Sequence, residues 1–327
     1  MRVFMAMRRF AKVDGSRRGF GAALAALALG ALALGFVVTS ARAQIGSTAN
    51  SVGSQGASWY FGNTNGVLGS VDDGEAINTI RGFGLDDASL QGIGPALFSS
   101  ATLWINTNNQ FETDDFGVLN GILSTSPKFT ESVTITVQHS AVINAPLLRS
   151  LITFENPGPG SVTLNRIDWV FAEAGGDENA TRATSSGDLI FNVDDRWTVS
   201  SDIDDEFTVP SVPVLLYGLY GTGAISETTT STAFQVYAVG NVSPLTRRGM
   251  RATFETITIP AGSARRLLFF TGMYRTNATA IAAANEFADF TGCAFAGLSP
   301  TQRAEIVNWH FPAGNATCDL FLPSLRK

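Results

Sequence analysis

Hydrophobic and polar residues alternate along much of the chain, and this alternation predicts its main elements. In residues 132–142 (SVTITVQHSAV), Val133, Ile135 and Val137 fall on one face, and the threonines and glutamine between them fall on the other. Strict alternation with β-branched side chains is typical of a strand with one buried face. Short runs of this kind recur between turn signals. The pattern therefore predicts a mainly β chain folded as a large antiparallel β-sandwich.

Further strands are predicted at residues 102–105, 148–154, 161–171, 189–191, 197–199, 212–219, 234–239, 252–259 and 265–271. Pro213 lies inside the apolar run 212–219. Because proline has no amide hydrogen to give to a neighbouring strand, an edge or irregular strand is predicted there. Together these segments make residues 57–275 the predicted β-sandwich domain.

The pattern changes near the end of the chain. Residues 277–290 are rich in alanine and lack a β-branched run, which favours a helix. Ser299 and Gln302 have the spacing of a capping box, with Pro300 at the first helical position. They predict a second helix that runs to about Trp309 and is closed by His310, where the helix dipole favours a cation. Residues 276–327 are therefore predicted to form a helical C-terminal tail.

The first 43 residues have the features of a signal peptide. A basic segment precedes the apolar run 21–38, and Ala41 and Ala43 form a small-x-small cleavage site. The apolar run has about the length of a short membrane span, so a retained anchor is the alternative. We favour removal, because the run is rich in alanine and glycine and leads directly into the cleavage pattern.

The export route and the location follow from the same segment. Ser16, Arg17, Arg18 and Phe20 resemble the twin-arginine signal, although Gly21 stands where that signal usually has leucine. Residues 44–56 are small and polar, and they are predicted to form a flexible mature N-terminus. The chain is thus predicted to be periplasmic or secreted in a bacterium, with no membrane span after signal removal.

The charge balance excludes two classes of partner. The first 43 residues hold 7 of the 22 lysines and arginines and 1 of the 28 acidic residues, which leaves a net charge of −12 on the rest. A chain this acidic, without a basic run, is poorly suited to nucleic acid or to an anionic membrane surface. Cys293 and Cys318 are its two cysteines, and in an oxidising compartment they are predicted to form one disulfide. Two free buried thiols are the alternative.

The most acidic stretch, residues 185–207, is a candidate metal site. Asp202, Asp204 and Glu206 alternate as the oxygen ligands of a calcium loop would. Phe207 occupies the position of the required glycine, and Pro213 that of the final glutamate, so the EF-hand pattern fails. A looser calcium site in loops stays open beside the simpler interpretation of a solvated acidic turn. Acidic pairs recur at other predicted turns, at residues 72–73 and 86–87.

Three residues are candidates for catalysis. Asp188 closes an SSGD turn and Asp195 precedes an Arg-Trp pair, so these two carboxylates are the pair to consider for glycoside hydrolysis. His139 shares a strand face with Val133 and its apolar neighbours. A satisfied buried histidine is the favoured interpretation there, and a general base is the alternative.

The order of motifs after residue 149 resembles a group of large secreted bacterial domains. A strand that carries Arg149 runs into an Asn-Pro turn, a segment ending in Ser-Gly-Asp leads to an Asp-Arg-Trp strand, and a Pro-Ala-Gly turn precedes a hydrophobic strand. The resemblance covers residues 132–284. It implies a β-sandwich of the supersandwich type found in sugar mutarotases, and it implies no activity.

The predicted function follows from what the chain carries and lacks. It has no Gly-x-Ser-x-Gly elbow and no complete dinucleotide fingerprint. We therefore predict an exported, soluble envelope or extracellular protein that acts by binding or structural association rather than as an enzyme. Its predicted partners are a glycan or another envelope protein, and calcium is the one cofactor left open. The alternative is a carbohydrate-binding or carbohydrate-active β-sandwich protein, with Trp59, Tyr60, Tyr217 and Tyr220 as candidate sugar-stacking rings.

Overall fold

The structure is a computed structural model. It describes residues 44–45, 51–63, 83–96, 101–106, 109–111, 116–171, 179–191, 194–202, 212–221, 232–239, 247–288, 290 and 293–312.

The described residues form mainly β-strands, with two short helices near the end of the chain. The strands are β1 (Gln44–Ile45), β2 (Ser51–Ser54), β3 (Ala57–Asn63), β4 (Phe83–Leu90), β5 (Gly94–Pro95), β6 (Ala101–Ile105), β7 (Asn109–Gln110), β8 (Phe116–Leu119), β9 (Ile122–Thr125), β10 (Lys128–Thr130), β11 (Val133–Ala141), β12 (Leu147–Glu155), β13 (Val162–Phe171), β14 (Asn179–Thr184), β15 (Trp197–Asp202), β16 (Val214–Gly218), β17 (Thr232–Val239), β18 (Arg247–Ile259) and β19 (Ala264–Tyr274). The helices are α1 (Asn277–Ala288) and α2 (Pro300–Glu305).

The strands form two antiparallel sheets, as the sequence predicted. Sheet 1 has the order β1-β2-β3-β4-β6-β13-β18-β17, with β5 beside β4 and β7 beside β6. Sheet 2 has the order β14-β15-β16-β19-β12-β11-β9-β8, with β10 beside β11. Apolar side chains from both sheets meet in one inter-sheet core, so the protein is a large β-sandwich.

Sheet 2 is buried on both faces along its central strands. On β19, Leu267 and Phe269 belong to the inter-sheet core, whereas Leu268 and Phe270 pack in a second core against the C-terminal segment. This second core includes Ala280 and Ala284 of α1 together with Phe295 and Trp309 beyond it. The continuous apolar run of β19 is explained by this double burial, because a strand buried on both faces needs no polar alternation.

Two strand predictions and one turn prediction were wrong. β16 is not an edge strand, because it pairs with both β15 and β19, and Pro213 lies before its first residue. Residues 189–191 form no strand but belong to the loop between β14 and β15. Asp86 and Asp87 lie within β4, beside a register shift, and not at a turn.

The segment predicted as a flexible N-terminus takes part in sheet 1. β2 pairs with β3 around a two-residue turn at Gln55 and Gly56, whose φ angles are 53° and 78°. Two positive φ angles in a two-residue hairpin loop suit the twist of the flanking strands. The glycine and serine content predicted a flexible segment, whereas residues 51–63 form a β-hairpin.

Helix α2 begins at the predicted residue but ends earlier than predicted. Ser299 accepts a hydrogen bond from the Gln302 amide, and the Gln302 side chain accepts one from the Ser299 amide, which completes the predicted capping box. The helix ends at Glu305, and Ile306 is already extended. His310 is exposed and lies five residues past the helix, so its predicted interaction with the helix dipole was wrong. Trp309 is buried as predicted, but in extended chain.

Within the described part of the chain, none of the helices combines the length and the apolar character needed to cross a membrane.

Candidate functional site

His139 is a core residue. Its ring lies 4.6 Å from the ring of Phe61, centroid to centroid, and 6.3 Å from that of Trp169. Its Nδ1 lies 2.9 Å from the Ser150 hydroxyl, in a hydrogen bond whose direction depends on the tautomer. Burial lowers the pKa of His139 to about 3, so the ring is neutral at physiological pH. The geometry agrees with the interpretation of a satisfied buried histidine.

Asp195 and Asp188 organise the loop that joins β14 to β15. Asp195 is fully buried, and its carboxylate accepts a hydrogen bond from the Ser186 amide at 3.0 Å. Ser185 in turn accepts one from the Arg196 amide at 2.7 Å. Asp188 is exposed, and its carboxylate accepts the Ile190 amide at 2.9 Å. The SSGD and DDR motifs are thus tied to each other, and these bonds give both carboxylates a role in shaping the loop.

The structure does not bring the three predicted catalytic residues together. His139 is on β11, and the two aspartates lie beside β15. Three strands, β16, β19 and β12, separate β15 from β11 in sheet 2. At about 4.8 Å between neighbouring strands, β15 and β11 are roughly 19 Å apart. One substrate group cannot contact all three residues.

The predicted calcium ligands fall mostly outside the described residues. Asp202 is the last residue of β15, and Asp204 and Glu206 lie in a part of the chain that the structure does not describe. Among the residues that it does describe, no three His, Cys, Asp or Glu side chains come together as metal ligands. The calcium site stays a prediction.

The predicted disulfide and the export signal involve residues outside the described part of the chain. Cys293 is half-buried against the second core, and Cys318 lies outside the described residues. The residues of the predicted signal and cleavage site lie outside them as well; they are Ser16, Arg17, Arg18, Phe20, Ala41 and Ala43.

The four predicted sugar-stacking rings do not form one face. Trp59 and Tyr217 are buried in the inter-sheet core, so these two assignments were wrong. Tyr60 is on the outer face of sheet 1 and 37% exposed. Tyr220 is half-buried; burial and then the Asp194 and Asp195 carboxylates raise its pKa to about 12, which keeps its hydroxyl protonated.

A different group of side chains occupies the outer face of sheet 1. Trp104 on β6, Asp168 on β13 and Thr253 on β18 are register neighbours on three adjacent strands. Arg166 and Glu255 form the next row. Neighbouring strands are about 4.8 Å apart and successive same-face residues about 6.8 Å apart. We call these five residues the outer-face patch.

Alternation along the strands aims these side chains away from the core. Leu103 and Ile105 flank Trp104 and are buried in the inter-sheet core, as are Ile167 and Trp169 on either side of Asp168. Successive side chains on a strand point to opposite faces. Trp104 and Asp168 therefore point outward.

The polar groups of the patch are held by hydrogen bonds. The Arg166 Nε donates to both carboxylate oxygens of Asp168, at 3.2 and 2.9 Å. The Thr253 hydroxyl donates to Asp168 Oδ1 at 2.6 Å. The Asp168 side chain is 7% exposed and that of Arg166 is 21% exposed. A charged pair held this firmly presents hydrogen-bonding groups at fixed positions.

Trp104 differs from the other tryptophans of the chain. The sequence has five, and Trp104 is half-buried whereas the other four are buried: Trp59, Trp169, Trp197 and Trp309.

The patch was missed from the sequence, although a signal was present. Arg166 and Asp168 stand two residues apart in a predicted strand, which places two charges on one face. The pairing of β6 with β13 decides which sheet face the two charges share and brings Trp104 beside them. These two strands are separated by about 60 residues in the chain.

Comparisons with known proteins found distant structural neighbours and no family for this chain. No protein-family model matches the chain, and no curated protein matches it. Similar solved structures include a TPR-domain containing protein from Parabacteroides distasonis (7% identity, TM-score 0.42), with 68% of this chain and 54% of that chain covered. This chain thus spans about half the length of that protein.

Two further similar structures are a polysaccharide lyase and a galactose mutarotase-like protein from Lactobacillus casei. The lyase has 12% identity and a TM-score of 0.40, with 69% of this chain and 34% of the other covered. The Lactobacillus protein has 9% identity and a TM-score of 0.32, with 67% and 85% covered. These neighbours are distant, so they carry no argument about activity. The resemblance to a secreted family stays a prediction.

Proposed function

We propose that this chain is an exported bacterial protein that acts by binding, and that it binds carbohydrate on the outer-face patch. The observation that supports this proposal is the half-buried Trp104 beside the hydrogen-bonded Arg166 and Asp168. Among the five tryptophans, this is the one that reaches the surface, and it does so next to fixed charged groups.

The chemistry of a sugar suits this combination. A pyranose ring has apolar C–H faces, which pack on an aromatic ring, and a rim of hydroxyls, which need hydrogen-bond partners. Arg166 supplies guanidinium donors and the exposed Glu255 supplies a carboxylate, while the buried Asp168 carboxylate holds the guanidinium in place. With two carboxylates and one guanidinium, the patch carries a net charge of −1, so we expect neutral glycans to bind better than acidic ones.

Binding is favoured over catalysis because the predicted catalytic residues do not converge. His139 is neutral and enclosed by aromatic rings, and Asp195 is engaged with the backbone of its own loop. Glycoside hydrolysis needs two carboxyl groups on opposite sides of one bond. The predicted pair instead shapes a loop.

A glycan array with the mature chain, residues 44–327, is the primary test, in the presence and absence of calcium. We expect binding to neutral glycans, and a loss of about tenfold in affinity for Trp104→Ala, because a stacking aromatic contributes up to about 1.5 kcal/mol. Phe129→Ala is the matched control, because Phe129 is 66% exposed on sheet 2 and outside the patch. No binding to any glycan would contradict the proposal and favour structural association.

Tryptophan fluorescence gives a second readout. Acrylamide should quench Trp104 far more than the four buried tryptophans, and a bound glycan should protect it. Quenching that is unchanged by a glycan found on the array would place the ligand elsewhere.

Export by the twin-arginine route is part of the same proposal. Replacing Arg17 and Arg18 by lysine should retain the precursor in the cytoplasm. Normal export of that double variant would contradict the route, and a mature protein that begins before Gln44 would contradict the cleavage site.

A further inference from the structure

We infer that Asn106 is the positioning residue of the outer-face patch, and that its carboxamide sets which face of β13 carries Arg166 and Asp168. The inference rests on the proposed function for the identity of the ligand. The role of Asn106 in shaping β13 does not depend on that function. Asn106 directly follows β6, two residues after Trp104, and is bonded to the backbone of Arg166.

Strict alternation fails once in the middle of β13. Leu164 and Ile167 both reach the inter-sheet core although they are three residues apart. Two residues, Asn165 and Arg166, therefore lie between them on the outside. If alternation had continued from Leu164, Ile167 would point outward and Asp168 into the core, because a shift of one residue exchanges the two faces of a strand.

The paired strand has the same irregularity. On β18, Phe254 and Ile257 both belong to the core, and Glu255 and Thr256 are exposed between them. Thr256 has a φ of 59°, which is rare for a β-branched residue. The two irregularities face each other in the register, so both strands change faces at the same place.

Asn106 is bonded to this point on β13. Its Oδ1 accepts hydrogen bonds from the backbone amides of Asn165 at 2.9 Å and Arg166 at 3.4 Å. The backbone amide of Asn106 donates to the Arg166 carbonyl at 2.8 Å. The side chain thus takes the place of a neighbouring strand at the two residues that interrupt the alternation. Asn106 itself has a φ of 51°, a conformation that asparagine tolerates better than most residues.

The other end of the carboxamide fixes its orientation. Asn106 Nδ2 donates to Glu131 Oε2 at 2.8 Å, and Glu131 lies in the turn between β10 and β11 of sheet 2. Glu131 and Ser132 have φ angles of 50° and 63°. Strained backbone that gathers at one place is held there by the surrounding structure, and it is often part of a binding site.

Three variants test the inference. Asn106→Gly tolerates the positive φ but removes the carboxamide. Asn106→Asp keeps an acceptor for the two amides but sets a carboxylate against Glu131. Adding Glu131→Gln to Asn106→Asp restores a hydrogen bond between positions 106 and 131. In this double variant the side chain at position 131 donates and the carboxylate at position 106 accepts.

Two readouts separate positioning from a general structural role. Hydrogen exchange should become about tenfold faster at the Asn165 and Arg166 amides in Asn106→Gly, for a lost bond worth about 1.4 kcal/mol, while β12 amides stay protected. Affinity for the neutral glycan found on the array should fall about tenfold in both single variants and recover in N106D/E131Q.

Each outcome decides a separate point. Glycan affinity that is unchanged in Asn106→Gly would overturn the positioning role, as would unchanged exchange at Asn165 and Arg166. Failure of N106D/E131Q to recover the glycan affinity lost in Asn106→Asp would also overturn it. A wild-type chain that binds no glycan would instead remove the proposed function, and amide exchange alone would then decide whether Asn106 fixes the strand.

Discussion

The carboxamide of Asn308 satisfies both backbone groups of Leu268. It accepts the Leu268 amide at 2.9 Å and donates to the Leu268 carbonyl at 2.7 Å, and it donates again to the Leu219 carbonyl at 2.7 Å. The register of β16 with β19 ends at Gly218 and Phe270. Asn308 therefore continues the sheet with a side chain where the neighbouring strand stops, and this fixes the C-terminal segment in place.

Asn308→Ala should destabilise the fold by about 3 kcal/mol, because it removes the hydrogen-bond partner of the buried Leu268 amide and of the Leu219 carbonyl, whereas the Leu268 carbonyl keeps a hydrogen bond from Trp309 Nε1 at 2.7 Å. Urea unfolding of residues 44–327 measures the change. Asn285→Ala is the control, since Asn285 is exposed on α1 and should shift the free energy of unfolding by less than about 0.5 kcal/mol. Equal effects of the two variants would show that the C-terminal segment does not depend on Asn308.

His139 should make stability depend on pH. The unfolded chain binds a proton at His139 below pH about 6.5, whereas the folded chain does so only near pH 3. Between these values the unfolded state holds more protons, so the free energy of unfolding falls by about 1.4 kcal/mol for each pH unit lost.

His139→Gln should therefore remove about 2 kcal/mol of the loss in stability that the wild type shows between pH 7 and pH 5. His310→Gln should leave that loss unchanged, because His310 is exposed. Unfolding measured at several pH values compares the three chains. Identical pH profiles for the wild type and His139→Gln would mean that the ring is accessible to protons in the folded state.

Asp195 and Asp188 should differ in their contribution to stability. Asp195→Ala removes a fully buried acceptor from the Ser186 amide, and we expect a cost of about 2–3 kcal/mol. Asp188→Ala acts on an exposed turn and should cost less than about 1 kcal/mol. Thermal unfolding ranks the two variants, and the reverse order would contradict the architectural role of Asp195.

The predicted disulfide between Cys293 and Cys318 can be tested chemically. Without a reductant, the mature chain should resist alkylation at both cysteines and show the intact mass less two hydrogens. A loop of this length implies a stabilisation of up to about 3.5 kcal/mol, which Cys293→Ser should abolish. Alkylation of both thiols in the unreduced unfolded chain would exclude the bond.

Several parts of the fold could be predicted because their causes are local. The alternation of Val133, Ile135 and Val137 predicted β11 with its inward face, and the same parity placed His139 inside. Ser299, Pro300 and Gln302 predicted the start of α2, because capping depends on bonds within four residues. The short alternating runs between turn signals predicted a mainly β chain with a short helical tail.

Other features depend on residues that are far apart in the chain. β16 is central because β15 and β19 bind both of its edges, and no property of Pro213 could reveal that. Trp104 reaches the outer face of sheet 1, and the charges beside it come from β13, about 60 residues further along the chain. The sequence by itself determined the β class, the strand periodicity and the capped helix, since these follow from local sterics and hydrogen bonding. Only the tertiary structure decided where the faces of β13 exchange and so which charges meet Trp104, because both depend on pairing between distant strands.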